Sequence, residues 1–304
     1  MPPNLLFIMT WIILTIVSAF FLGIYEVTKK QSLRDNAVWL VLLFSTFSSA
    51  ILFIPLVLLS KWGSINDSSL FFVPVITLRE HLLILLKTAI VLTSWIFSYF
   101  SLKHLPLTIA SPIRATAPVW TLLGALIIYK ERLTPMQWTG LLLTFLFFYL
   151  FSVAGSREGI FFKNNRWIWF AILGTLFASA SALFDKFLIR SVDRMAVQAY
   201  FSIYQVLLLT PLVLVIRKTM TNPLPFIWRW SIPLIGVFLV IADFLYFFAL
   251  DFEDSLISVV SIMRRASVIV SFVFGALLFR ERNITRKALL LAGILAGLII
   301  LILG

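Results

Sequence analysis

The chain has 304 residues, 61% of them hydrophobic and only 12% charged, with a mean hydropathy of +1.05. Soluble domains are roughly 45–50% apolar and about 25% charged, and no water-soluble fold could hide this much apolar surface. Cysteine is absent, which excludes disulfides, thiolate metal sites and cysteine nucleophiles. The net charge of +12 is scattered through short segments between apolar blocks, so it reads as topology signals and headgroup contacts, with no nucleic-acid partner expected.

Apolar blocks of about 18–25 residues, long enough to cross roughly 30 Å of hydrocarbon as helices, recur along the chain. In chain order they are predicted at Leu5–Val27, Ala37–Ser60, Leu82–Leu102, Leu107–Tyr129 and Pro135–Ala154. A second set follows at Trp167–Leu188, Ala196–Ile216, Ile232–Leu250, Leu256–Phe279 and Thr285–Leu303. The first block has no basic segment before it and exceeds a signal-peptide core, so it is expected to be retained. The fold class is an all-α integral membrane protein of about ten transmembrane helices, with loops too short for a soluble catalytic domain. Thr134-Pro135 is read as a cap followed by a first-turn proline.

The chain repeats itself. Lys130-Glu131-Arg132 after the fourth span answers Arg280-Glu281-Arg282 after the ninth, with Glu131 and Glu281 150 residues apart. Arg114 and Arg264 have the same separation, Gly124-Ala125-Leu126 answers Gly275-Ala276-Leu277 with one residue of slip, and Tyr25-Glu26 answers Phe184-Asp185. Two halves of five spans are implied, at 1–155 and 156–304. Because five is odd, the second half enters the membrane from the opposite side, and the repeats are inverted. That architecture favours two conformations facing opposite sides, with a substrate near the midplane.

Arginine at the centre of a membrane helix costs about 2.5–3.5 kcal/mol, so Arg114, Arg264 and Arg265 require a polar cavity or acidic partners. In the ninth span Ser258, Ser261 and Arg265 share one face, and Arg264, Ser267 and Ser271 the next. The facing walls are read from the third span, where Ser94, Ser98 and Ser101 lie together beside Trp95 and Tyr99, and from the eighth, where Asp243 and Tyr246 are three apart. Glu26 and Asp185 fall near span ends, which leaves Asp243 as the mid-depth carboxylate and about two positive charges in excess. Forked guanidinium donors match carboxylate or phosphate oxygens, so an anionic or phosphorylated substrate is expected. The alternative is that the arginines pair with Asp243 or helix-end carbonyls and only fix packing. Glu26 and Asp185 are candidates for coupling or gating, or else partners of Lys29, Lys30 and Lys186 at the headgroup boundary. His81 and His104 are read as interfacial, and no metal or cofactor site is expected.

Ala110-Ser111-Pro112-Ile113-Arg114-Ala115-Thr116-Ala117-Pro118-Val119-Trp120, running on to Tyr129-Lys130-Glu131-Arg132 and Gln137-Trp138-Thr139-Gly140, resembles the EamA module of the drug/metabolite transporter superfamily. Ser258 to Glu281 resembles its paired module, although the proline corresponding to Pro118 is missing and Leu290 stands where the first half has Gly140. The resemblance implies ten helices in two inverted repeats and secondary transport of a small molecule by alternating access in the cytoplasmic (inner) membrane, among lipids. Phosphate-translocating members of that superfamily use a basic residue in the fourth helix and a basic pair in the ninth, matched here by Arg114, Arg264 and Arg265. Export of neutral amino acids or other uncharged solutes, and flipping of a lipid-linked anion, are the alternatives. A membrane-embedded phosphotransferase would need a nucleophile with its base, a metal-ligand set or a phosphate loop, and the sequence has none of these patterns. Loops after odd-numbered spans hold fourteen Lys and Arg against eight on the other side, which by the positive-inside rule puts both termini outside, whereas relatives keep them inside.

Overall fold

The computed structural model describes residues 3–120, 123–124, 134–156, 162–188, 191–219, 224–250, 263–264, 266–279 and 283–303. Ten helices follow one another there: α1 (Pro3–Leu33), α2 (Val38–Lys61), α3 (Leu78–His104), α4 (Leu107–Ala115), α5 (Pro135–Ser156), α6 (Arg166–Leu188), α7 (Arg194–Thr219), α8 (Ser231–Leu250), α9 (Ser267–Phe279) and α10 (Ile284–Leu303). Among the described residues α1, α2, α3, α6, α7 and α8 are each long and apolar enough to cross a membrane, and α5 and α9 carry shorter apolar stretches.

Helix starts follow the local chemistry. At α3 the Thr77 amide donates to Glu80 Oε2 (2.6 Å) and the Glu80 amide to Thr77 Oγ1 (3.4 Å), a reciprocal capping box. Thr134 and Gln137 do the same at α5, at 3.0 and 3.1 Å, with Pro135 in the first turn as expected. Asp193 Oδ1 accepts from the amides of Met195 and Ala196 at the start of α7.

Three of the predicted spans differ in form. α1 runs on to Leu33, six residues past Val27, because its lysines find partners within the protein: Lys29 on Glu26, and Lys30 on the carbonyls of Leu102 and Leu105 at the end of α3. The fourth span is broken at Thr116. The Thr116 amide donates to Ile113 O at 3.2 Å and the Val119 amide to Thr116 O at 2.9 Å, after which 117–120 are helical again. The ninth span breaks in the same way, with Ala266 N on Met263 O (3.0 Å) and Ile269 N on Ala266 O (2.9 Å). Every atom of the second break lies 150 residues after its counterpart. Pro112 and Pro118 flank the first break, while Ile262 and Val268 hold those places in the second, so proline alone does not set it.

Helix packing follows the repeat. If each helix is replaced by the one five places along, the pair α1 with α8 becomes α6 with α3, α2 with α8 becomes α7 with α3, and α1 with α9 becomes α6 with α4. All six of these pairs pack together, and the pairs α2 with α7, α4 with α9 and α5 with α10 map onto themselves. The two halves therefore interlock about a pseudo-two-fold axis, and the interface between them runs through the middle of the bundle.

Small residues bring α5 and α10 close, as is usual where lipid supplies no hydrophobic drive between helices. A Cβ placed on Gly297 would sit 2.5 Å from Thr144 Oγ1 and 3.0 Å from Gly140 O. Gly297→Val is expected to destabilise the folded protein by about 1–3 kcal/mol through overpacking. Leu289→Ala, at a position 69% exposed, should leave the detergent melting temperature close to wild type.

Candidate functional site

Polar groups are layered along the interface between the halves. At one face the turn between α1 and α2 is tied to the segment before α8. Asn36, fully buried, donates from Nδ2 to Ile227 O (2.7 Å) and accepts at Oδ1 from the Ile227 amide (3.0 Å), so its side chain pairs with a backbone unit of the other half. Arg229 donates to the carbonyls of Gln31 and Arg34, and Ser32 Oγ donates to Ser231 Oγ at 2.7 Å. Lys103 adds a bond to Asn36 O at 2.7 Å. These contacts close the interface at this face.

Immediately inside lies a buried charge cluster. Glu26 accepts from Lys29 Nζ at 2.9 Å and forms an ion pair with Arg114. The Lys29 ammonium sits 4.4 Å from the Tyr25 ring centroid and 5.0 Å from that of Tyr99, whose hydroxyl is 3.1 Å from Ser45 Oγ. Such cation–ring contacts strengthen when desolvated, as here.

Deeper still, a cavity of about 290 Å³, its open mouth included, lies between the halves. Ser49 and Phe53 of α2 line it, facing Gln198, Phe201, Ser202 and Gln205 of α7 and Leu239, Val240 and Asp243 of α8. On α7 the spacing of three, four and seven puts the polar groups on one stripe. Asp243 forms an ion pair with Arg264, whose guanidinium stacks 3.9 Å from the Tyr246 ring centroid. On the far side Lys87 bonds Asp185 at 2.6 Å and lies 5.2 Å from the Phe201 ring.

The expected site residues thus separate into groups. Asp243, Tyr246 and Arg264 come together. Arg114, Glu26 and Tyr99 form the second cluster, and Trp95 packs edge-on against Phe201, a wall of the cavity. Ser98 lies elsewhere, in the seam between α3 and α6, where a Cβ on Gly174 would meet its hydroxyl at 2.7 Å. Arg265, Ser258, Ser261 and the two Lys/Arg-Glu-Arg ends fall outside the described residues. His81 bonds the Tyr204 hydroxyl at 2.7 Å, and His104 stacks on Trp167.

The expected position of Glu26 near a span end is corrected. Because α1 extends to Leu33, Glu26 lies well inside the helix and reaches Arg114, so the described groups of the two clusters number three cations, Lys29, Arg114 and Arg264, against Glu26 and Asp243. Lys29 and Glu26 enter this balance as one charge of each sign, and Arg265 lies outside the described residues. Lys29, Lys87 and Lys287 are also buried and are not loop charges. Removing them takes the two sides from fourteen and eight to twelve and seven, which preserves the bias and its direction.

Sequence reasoning passed over Gln198 and Gln205, although two glutamines seven residues apart with Ser202 between them are a polar stripe on an otherwise apolar helix. The count of loop charges also included Lys87, although residue 87 falls inside the predicted span Leu82–Leu102. Among the described residues no three His, Asp or Glu side chains converge as metal ligands.

Broken helices at the meeting of two interlocked five-helix halves, with ion pairs buried beside a central cavity, define a multi-pass membrane protein of the inverted-repeat transporter class. The model of the EamA-like transporter family matches the chain twice, at residues 9–153 and 165–303, and the chain belongs to that family. No curated protein sequence matches it. A solved structure described only as "Crystal structure of protein" aligns with 94% of this chain and 95% of its own at a TM-score of 0.61 and 13% identity, a likeness of fold alone.

Removing one partner from a buried ion pair costs roughly 3–5 kcal/mol, against about 0.2–1 kcal/mol for an exposed pair. The Glu26 side chain is 10% exposed and serves two cations, whereas the Asp243 side chain is 29% exposed and serves one among the described residues. Glu26→Gln should therefore lower the melting temperature clearly more than Asp243→Asn. The reverse order would show that the Glu26 cluster is better hydrated than its geometry suggests.

Proposed function

We propose that this protein is a secondary transporter that moves a small polar metabolite across the cytoplasmic membrane by alternating access between its two halves. The observation that carries the reading is the matched pair of helix breaks at Thr116 and Ala266, each two residues beyond an arginine and both at the interface of the halves. Breaks at membrane depth are tolerated only where protein or a polar cavity satisfies the freed backbone, and substrates of inverted-repeat carriers bind at such places. Arg114 and Arg264 would be exposed first to one side and then to the other, and the Asn36–Ile227 tie would have to open on one of those sides. Glu26 and Asp185, related by the repeat and each held by a lysine, are the candidates for coupling or gating.

A second reading keeps an anionic or phosphorylated substrate. What favours it is that Lys29 and Arg114 share the one carboxylate of Glu26, which leaves a cation surplus in a dry cluster. A solute phosphate or carboxylate would relieve that surplus.

Natural absence of cysteine allows a direct test of alternating access. In the Ser32→Cys, Ser231→Cys double variant, oxidation should lock the tied face and stop counterflow across proteoliposomes of any solute the wild type carries, and a reductant should restore it. Undiminished counterflow in the fully cross-linked protein would mean that this face does not open during transport.

A further inference from the structure

Two side chains on the cavity wall have polar atoms without a hydrogen-bond partner. Gln198 is 5% exposed and Gln205 1%, yet Gln198 Oε1 and Gln205 Nε2 bond to no protein group. An unpaired polar atom is expensive away from water, and native folds keep one mainly where function uses it. Asp243 of the same wall is held by Arg264, whose Nε is also buried without a partner. The wall thus offers one open acceptor and one open donor, and its formal charge, Asp243, is already neutralised by Arg264. Phe53, Phe201, Leu239 and Val240 supply apolar surface between them.

We infer that the cavity bounded by Gln198, Gln205 and the Arg264-paired Asp243 is a binding site for a small net-neutral solute that presents hydrogen-bond donors and acceptors together. The inference rests on the transport reading and names the substrate class of that site. The charge of a phosphate or dicarboxylate would compete with Asp243 for Arg264. A net-neutral solute leaves the ion pair intact: an acceptor takes the open N–H of Gln205, and a donor satisfies Gln198. Zwitterions and uncharged amides or polyols share this chemistry, and the experiment separates them.

The purified full-length protein would be melted with and without three sets of probes: neutral amino acids, uncharged amides and polyols, and sugar phosphates with dicarboxylates. Gln205→Leu and Gln198→Leu would be compared with wild type. Without ligand the leucine variants should melt at or above the wild-type temperature, because an unpaired polar group is replaced by an apolar one of similar size. At least one zwitterionic or uncharged probe should stabilise the wild type, and its apparent Kd should weaken about tenfold or more in both variants. Stabilisation confined to neutral amino acids identifies a zwitterion, and stabilisation confined to amides or polyols identifies an uncharged solute.

The inference is overturned if no net-neutral probe stabilises the wild type, or if the leucine variants melt well below it, which would reveal a structural partner for the amides. It is equally overturned if sugar phosphates stabilise the wild type and lose their effect in Arg114→Gln but not in Gln205→Leu. Failure of the transport reading looks different: a net-neutral probe binds through the two glutamines, yet wild-type proteoliposomes neither take it up nor exchange it.

Discussion

In hydrocarbon no water is at hand to satisfy a backbone amide or a charge, so every polar group at membrane depth must find its partner inside the bundle. The breaks at Thr116 and Ala266 free backbone groups from the regular helix pattern, and they are tolerated because both lie where the halves interlock. The tightened turns, with amides reaching three residues back, recover part of what is lost, and Thr116 Oγ1 donates to Ile113 O at 2.6 Å. Each break follows an arginine, and each arginine is held by a carboxylate from another helix, Glu26 on α1 or Asp243 on α8. Glu26 in turn binds Lys29, which permits α1 to remain helical past the hydrophobic block. Backbone discontinuity, buried charge and helix length are thus consequences of one requirement met at one interface.

The halves solve this requirement differently although they share a plan. Arg114 pairs within its own half with Glu26, while Asp185, the repeat counterpart of Glu26, pairs across the interface with Lys87. Arg264 takes Asp243 instead. Asn36 bridges to Ile227, whereas Asp193, which precedes α7 as Asn36 precedes α2, caps its own helix. Polar closure is concentrated at the face holding Asn36 and Arg229. Toward the opposite face, Val73 packs with Met195, Phe53 and Ala199 in an apolar cluster. An inverted-repeat protein in which the two ends are closed by different means is poised to differ in which end yields, the structural premise of alternating access.

The charges illustrate how far pairing changes the meaning of a residue. Three arginines in apolar spans read as an anion trap when they are counted against one carboxylate. Once α1 delivers Glu26 to Arg114, the guanidinium groups of Arg114 and Arg264 are each occupied, and on the cavity wall the groups with unused bonding capacity are Gln198 and Gln205. The surplus that persists sits with Lys29, enclosed by two tyrosine rings.

The sequence alone determined the class of molecule, because hydrophobic length answers directly to bilayer thickness. It also determined the two-half plan, because residues 150 apart repeat and an odd number of spans forces inversion. The nearness of Asp243, Tyr246 and Arg264 was legible too, since polar residues in neighbouring apolar spans have few places to go except one another. What only the tertiary structure decided was partnership. Whether Glu26 ends a helix or reaches Arg114, whether Lys29 and Lys87 lie in loops or in the interior, and whether Ser98 faces a cavity or Gly174 all depend on how helices distant in sequence turn toward each other. Hydropathy along a single chain carries no record of those rotations, because a buried lysine with a carboxylate beside it and a lysine in water are written with the same letter.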